Sequence, residues 1–178
     1  MERKASQPPA RLRGRVGAPR REEPEDAGPL NLQGKPCTLH PFSTDGIVLP
    51  RKIEKKVIAR AFHTAVEKEL ERAGLGVRLA GPDGTDGPDE GIVVTGRFVK
   101  VAPGSRWRRY LAPFLPGAAA IVEVKGLVAD RDIPLAELSG MGKRGLGPLG
   151  GASMAMLISA AEIAGGQLGR QALEALMD

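Results

Sequence analysis

The chain has 178 residues, enough for one domain with an appendage, and 42% of them are hydrophobic, which suffices for a real core. Only 3% are aromatic, so that core is expected to consist mainly of Ala, Val, Leu and Ile. The net charge is +5, but residues 1–21 alone carry seven Lys or Arg against one Glu. The remainder is close to neutral, which excludes a domain-wide attraction for nucleic acid and leaves only the tail and local patches.

Cys37 is the only cysteine, which excludes an intramolecular disulfide and a CxxC metal knuckle. The residues before it, Gly34, Lys35 and Pro36, lack the small-residue-and-Leu context of a lipoprotein cleavage site. We therefore expect Cys37 to be a small buried hydrophobe near the start of a strand. No run of about 18 apolar residues occurs, so no membrane-spanning helix is expected.

Residues 1–35 are predicted to form a disordered, basic and Pro-rich tail, because Pro, Gly and charged residues alternate there with few apolar ones. The charges are not followed by the apolar stretch of roughly 7 to 15 residues that a secretory signal needs, so no signal peptide is expected. A single α+β domain is predicted from residue 36 to residue 178.

The domain is predicted to begin with a strand at Cys37–Phe42, followed by a helix at Arg51–Ala73. The helix is indicated by apolar residues at steps of four, which form a continuous stripe: Ile58, Phe62, Val66 and Leu70. Gly74 provides the stop signal. A second short strand is predicted at Val77–Leu79, before a long polar turn.

Three further strands are predicted in the second half of the chain. Ile92–Val101 and Ala118–Ala129 have the strongest strand patterns, and we expect them to pair as antiparallel neighbours. Ile133–Met141 is a weaker third member, joined through a turn without the favoured Asn-Gly or Asp-Gly chemistry.

The last segment, Ala152–Met177, is predicted to be a long helix, since it is rich in Ala, Leu, Met and Ile. Gly165 and Gly166 interrupt it, which predicts a kink or a close backbone approach. The order of elements predicts an α+β fold: a small, mostly antiparallel sheet with two main helices packed on one face.

The sequence contains no convincing motif for nucleotide binding, metal binding or catalysis. Gly140, Gly142 and Gly145 match the spacing G-x-G-x-x-G, but no helix opens directly after them and no second parallel strand follows. His40 and His63 are isolated and lack metal-ligand spacing. We therefore predict no catalytic residue, no metal site and no cofactor, and expect that the protein is not an enzyme.

One loop has binding character, because arginines lie next to aromatic residues in a Pro- and Gly-containing turn. Such a cluster suits phosphates, carboxylates or stacked bases, but it also suits a loop anchored internally by ion pairs and packing. A structural role, contact with a protein partner and contact with nucleic acid all remain open, the last being the least favoured. The candidate residues are Pro103, Gly104, Ser105, Arg106, Arg108, Arg109 and Tyr110.

The segments GRFVKVAPGSRWRRYL, AAAIVEVKGLVAD and GPLGGASMAMLISAAEIAGGQLGRQALEAL resemble the bacterial domain-of-unknown-function family 4410 (DUF4410). The resemblance covers about Pro36 to Met177, and the loop with Arg106, Arg109 and Tyr110 carries most of its specificity. It implies an envelope-associated, lipoprotein-like protein with an α/β layer, and it transfers no catalytic residues.

These observations predict a non-enzymatic binding or assembly module of the bacterial envelope, with envelope proteins as partners through the Arg-rich loop. The alternative is a cytosolic nucleic-acid-associated protein that uses the basic tail and the Arg106 to Arg109 loop. The resemblance implies the envelope, whereas the absence of a signal pattern by itself indicates the cytoplasm. Neither a ligand nor an oligomeric state can be read from the sequence.

Overall fold

The computed structural model describes residues 32–81, 91–105, 118–131, 133–145 and 153–178. Within these ranges the elements follow one another as β1 (Pro36–Leu39), α1 (Lys55–Arg72), β2 (Gly76–Leu79), β3 (Ile92–Ala102), β4 (Ala120–Asp130), β5 (Ile133–Arg144) and α2 (Ser153–Met177). Most of the predicted tail and the predicted polar turn after β2 lie outside the described residues.

The five strands form one sheet in the order β2-β1-β3-β4-β5. The long pairs β3–β4 and β4–β5 are antiparallel, as predicted. The short β1 pairs in parallel with both β2 and β3. Parallel pairing of β1 with β2 is possible because α1 provides the crossover that returns the chain to the same end of the sheet. The α+β prediction is confirmed, and the sheet is mixed.

Helix α1 buries the stripe that its sequence predicts, namely Ile58, Phe62, Val66 and Leu70. It begins at Lys55 rather than Arg51, because residues 51–53 form a turn in which the Ile53 amide donates to the Pro50 carbonyl. Cys37 is 1% exposed within β1, which confirms the predicted buried hydrophobe. Neither helix in the described ranges is long and apolar enough to cross a membrane.

Helix α2 runs without interruption through Gly165 and Gly166. A Cβ on Gly165 would lie 2.5 Å from the Phe62 carbonyl oxygen of α1, whereas one on Gly166 would meet only side-chain ends at 3.7 Å or more. The predicted close backbone approach is therefore confirmed at Gly165. Only a residue without a side chain allows α1 and α2 to pack at this distance.

Helix α2 also packs closely on β5, and the glycines of the G-x-G-x-x-G spacing explain how. A Cβ on Gly142 would overlap the Ala160 carbonyl oxygen, and one on Gly140 would lie 2.5 Å from the Ala164 oxygen. Their spacing of two places both on the same face of β5. These glycines therefore admit the helix backbone to the sheet.

Two glutamines of α2 bind the free edge of β5. The Ser139 amide donates to Gln171 Oε1 at 2.9 Å, and the Met141 amide donates to Gln167 Oε1 at 3.1 Å. Unpaired amides on an edge strand would otherwise be available to another strand. Helix α2 thus satisfies part of this edge while covering one face of the sheet.

Residues 32–35, which fall within the predicted tail, contact the domain. Leu32 is 7% exposed and belongs to the hydrophobic core, and the Gly34 amide donates to the Gly74 carbonyl at 2.8 Å. Residues 1–31 lie outside the described part of the chain, so a disordered tail over that range stays a prediction.

Candidate functional site

Only the first part of the predicted binding loop is described. Pro103, Gly104 and Ser105 directly follow β3, and Gly104 has φ +70°. A Cβ on Gly104 would lie 2.6 Å from the carbonyl oxygens of Ala118 and Ala119, so the turn depends on glycine at this position. The other predicted site residues, Arg106, Arg108, Arg109 and Tyr110, lie outside the described residues, and their role stays a prediction.

Strand register brings separate parts of the chain to one end of the sheet. Ala102 pairs with Ile121, and Ala120 pairs with Arg144. The end of β3, the start of β4 and the end of β5 are therefore neighbours. We call this the loop end, because the chain that contains the predicted arginine loop leaves and rejoins the sheet here.

Both helices begin at the loop end. Lys55 in the first turn of α1 lines one small apolar cleft together with Val101 near the end of β3. Helix α2 runs antiparallel to β5, as its two glutamine hydrogen bonds require, so its first turn lies beside the end of β5. The contacts of Gly165 with Phe62 and of Gly169 with Glu69 show that α1 and α2 run parallel to each other.

Six exposed basic side chains belong to the loop end, although they come from opposite halves of the sequence. They precede or open α1, or they end β5. None forms an ion pair or hydrogen bond through its side chain with another described residue. We call this set the cationic pole; its members are Arg51, Lys52, Lys55, Lys56, Lys143 and Arg144.

Among the described residues, no acidic group forms an ion pair with a member of the cationic pole. Glu123 lies 3.7 Å from Lys100, which is not one of the six, and Asp45 accepts a hydrogen bond from the Ser43 hydroxyl at 2.8 Å. Glu54 is exposed and stands at the start of α1. The pole therefore retains most of its positive charge.

The helix starts add to the positive potential of the pole. Neither α1 nor α2 has an acidic residue in its first turn, and Glu54 at the N-cap of α1 makes no side-chain capping bond. Helix N-termini carry a partial positive charge from their free amides. Basic side chains and two helix dipoles thus act in the same direction, an arrangement that attracts anions.

A second surface lies on the face of the sheet opposite the helices. It is a broad open concavity of about 950 Å³ that contains Arg97 and Lys125, which are opposite one another on β3 and β4, and Glu137. Neither cation has an ion-pair partner among the described residues. Glu137 offsets one of the two charges, so this surface is a weaker candidate than the pole. It is completed by Ser43, Thr95, Gly96, Gly126, Leu127, Leu138 and Ser139.

Cys37 is buried and His63 is half-buried, and both have structural roles. His63 Nε2 accepts a hydrogen bond from the Phe42 amide at 3.0 Å, its ring contacts Phe42 and Phe62, and burial lowers its pKa. Burial raises the pKa of the Cys37 thiol to about 12, which keeps it protonated. Within the described ranges, no three His, Cys, Asp or Glu residues form a group that could hold a metal ion.

The cationic pole was not predicted from the sequence. The run from Arg51 to Lys56 contains four basic residues and one acidic residue, but its pattern also fits the start of a helix with no binding role. A count of charge within short windows would have found this half of the pole. The contribution of Lys143 and Arg144 could not be found in that way, because only the strand register places them at the loop end.

Comparison with solved structures gives similarities at low identity. The chain is similar to the PelC dodecamer from Paraburkholderia phytofirmans (15% identity, TM-score 0.43, covering 84% of this chain and 93% of that one). It is also similar to a single-substitution variant of that dodecamer (16%, 0.45, 85% and 94%) and to a Xanthomonas campestris protein of family DUF330 (13%, 0.49, 84% and 86%). We draw no functional conclusion from these similarities.

The family of this chain is shown by a family model and not by a curated relative. Comparison with curated proteins gives no significant match. The family model described as "Domain of unknown function (DUF4410)" matches residues 50–161, well over half of the chain. The matched region extends from the turn before α1 into α2, and thus contains all six residues of the cationic pole and the whole predicted arginine loop. The chain therefore belongs to the DUF4410 family.

Proposed function

We propose that this protein is a non-enzymatic binding module of the bacterial envelope, and that its cationic pole binds an anionic partner. The observation that carries the proposal is the gathering of six exposed basic residues without ion-pair partners among the described residues, at the end where both helices begin. The envelope setting rests on the resemblance stated above and on no contact in the fold.

The energetics of α1 support a role in binding. Lys55 and Lys56 lie at the positive end of the helix dipole, where basic side chains are unfavourable. Asp or Glu in the first turn would be favourable to the dipole, and Ser, Thr, Asp or Asn at the N-cap would cap the helix, whereas Glu54 at this N-cap makes no capping bond. Positive charge in an unfavourable position is explained if an anionic partner compensates it in the complex.

The alternative is a cytosolic protein that binds nucleic acid. One observation favours it: β3 ends and β4 begins at the loop end, and the sequence between them contains Arg106, Arg108 and Arg109. Phosphate contacts of this kind give binding that weakens steeply with salt. The two candidates share the cationic pole and differ in the polyanion they prefer.

The test is binding of the full chain to fluorescent heparin, used as a soluble polyanion, at low and moderate salt. Lys55→Ala/Lys56→Ala is expected to weaken binding about 30-fold, since each of the two basic groups near an anionic surface contributes on the order of 1 kcal/mol. The matched control, Lys68→Ala/Arg72→Ala, removes the same charge from the other end of α1 and should change binding less than about twofold.

The basic segment at residues 1–21 contributes equally to all three proteins, so differences between them report on the pole. Equal binding by the two double variants would refute the proposed site. Much tighter binding to a duplex oligonucleotide of similar charge than to heparin would support the nucleic-acid alternative, provided that Lys55→Ala/Lys56→Ala weakens this binding as well.

A further inference from the structure

An apolar side chain is exposed beside the cationic pole. Val48 is 90% exposed, the largest value among the large hydrophobic residues that the structure describes, and it lies three residues before Arg51. Its neighbours Ile47 and Leu49 line the cleft that contains Lys55, so this short segment is attached to the start of α1. Val57, in the first turns of α1, is also partly exposed at 36%.

Exposed aliphatic side chains next to basic ones form an amphipathic surface. Exposed aliphatic side chains surrounded by Lys and Arg suit the boundary of an anionic bilayer, where cations meet the headgroups and an apolar side chain enters the acyl region. Lys and Arg side chains can also lay their aliphatic stems along apolar surface while the charge stays in the headgroup layer. A soluble polyanion would use the cations but would gain nothing from Val48.

We infer that the cationic pole docks on the surface of a bilayer containing anionic lipid, with Val48 inserted among the headgroups. This inference rests on the proposed function and names its partner. Docking would be end-on, because α1 and α2 run parallel and both begin at the pole. The open face of the sheet would then extend away from the bilayer and remain available to other molecules.

Single-stranded nucleic acid fits the described part of the pole less well. Binding to single strands uses aromatic side chains on which bases stack. The residues around the described cations, from Ile47 to Val57, are aliphatic or charged and include no aromatic residue. An exposed valine is favourable in a bilayer boundary and neutral or unfavourable against phosphate.

The test is co-sedimentation of the full chain with phosphatidylcholine vesicles, with and without about one third phosphatidylglycerol. The chain should partition onto the anionic vesicles only. Lys55→Ala/Lys56→Ala should lower the partition coefficient about 30-fold, and Val48→Ser should lower it about tenfold. Met177→Ser is the control, since Met177 is 56% exposed at the far end of α2 and should have no effect.

The heparin and vesicle measurements separate the two proposals. Binding to heparin through Lys55 and Lys56 without partition onto anionic vesicles would overturn the lipid inference and leave the proposed function intact. Failure of both would overturn both. Vesicle binding that is unaffected by Val48→Ser, with tighter binding to a duplex oligonucleotide, would also overturn the lipid inference and favour nucleic acid.

Discussion

The two ends of helix α1 differ in how their charges are balanced. At its end, Arg72 lies where a cation is favourable to the helix dipole, and Glu69 is 3.2 Å from Arg72 and 3.7 Å from Arg170 of α2. At its start, Lys55 and Lys56 oppose the dipole and have no ion-pair partner among the described residues. The charges at the end of the helix therefore favour its stability, whereas those at its start are unfavourable to the dipole and unpaired among the described residues.

The contacts that α2 makes with β5 and α1 also differ from the cationic pole, because they are tightly packed. Where α2 meets β5 and α1, glycines allow backbones to approach within distances that any side chain would prevent. Substitutions along these contacts should destabilise the fold, whereas substitutions of the cationic pole should not.

We expect the contact between β5 and α2 to tolerate substitution of its glycines least. Gly142→Ala places a Cβ onto the Ala160 carbonyl oxygen, and a helix backbone cannot move away as a flexible side chain could. We expect a loss of about 3 kcal/mol in the free energy of unfolding. Gly145→Ala is the control: its Cβ meets nothing within 4 Å, so urea unfolding should show a change below about 0.5 kcal/mol.

The adjacent glycines of α2 should respond in opposite directions. Gly165→Ala brings a Cβ within 2.5 Å of the Phe62 carbonyl oxygen and should cost about 2 kcal/mol. Gly166→Ala meets only the ends of Arg170 and Glu69 and should stabilise the helix by about 0.5 to 1 kcal/mol. Thermal or urea unfolding of the two variants would contradict this packing if both shifted in the same direction.

His63 should make the stability depend on pH. Burial lowers its pKa in the folded protein, so the unfolded chain binds more protons below pH 6.5. The free energy of unfolding should therefore fall as the pH drops below about 6.5, by at most about 2 kcal/mol at pH 5.

His63→Gln isolates this effect, since a glutamine oxygen can accept the same bond from the Phe42 amide without titrating. Urea midpoints measured at intervals from pH 7.5 to pH 5 should show a weaker dependence in the variant than in the parent. Identical dependences would mean that His63 does not couple protonation to folding.

Much of the fold could be predicted because its elements have strong local patterns. The apolar stripe of α1 and the long alternating strands β3 and β4 specify both the elements and the antiparallel pairing. The patterns of β1 and β2 carry no information on strand direction, since each strand has four residues. The strand–helix–strand order was the signal that could have indicated the parallel β1–β2 pair.

The candidate site was harder to predict than the fold. Local composition drew attention to the loop from Pro103 to Tyr110, which the described structure reaches only as far as Ser105. The cationic pole joins the start of α1 to the end of β5, about 90 residues apart in the sequence. Sites assembled by register in this way are visible only once the strand order is known.

We propose that charge at the start of α1 serves binding at a cost in stability. Lys55→Glu/Lys56→Glu should separate the two effects when urea unfolding and heparin binding are both measured. We predict that the free energy of unfolding rises by about 1 kcal/mol, because acidic residues at this position favour the helix dipole, while heparin binding falls more than about tenfold. Lys68→Glu/Arg72→Glu should instead lower stability and leave heparin binding nearly unchanged. A less stable Lys55→Glu/Lys56→Glu variant with unchanged heparin binding would contradict the account.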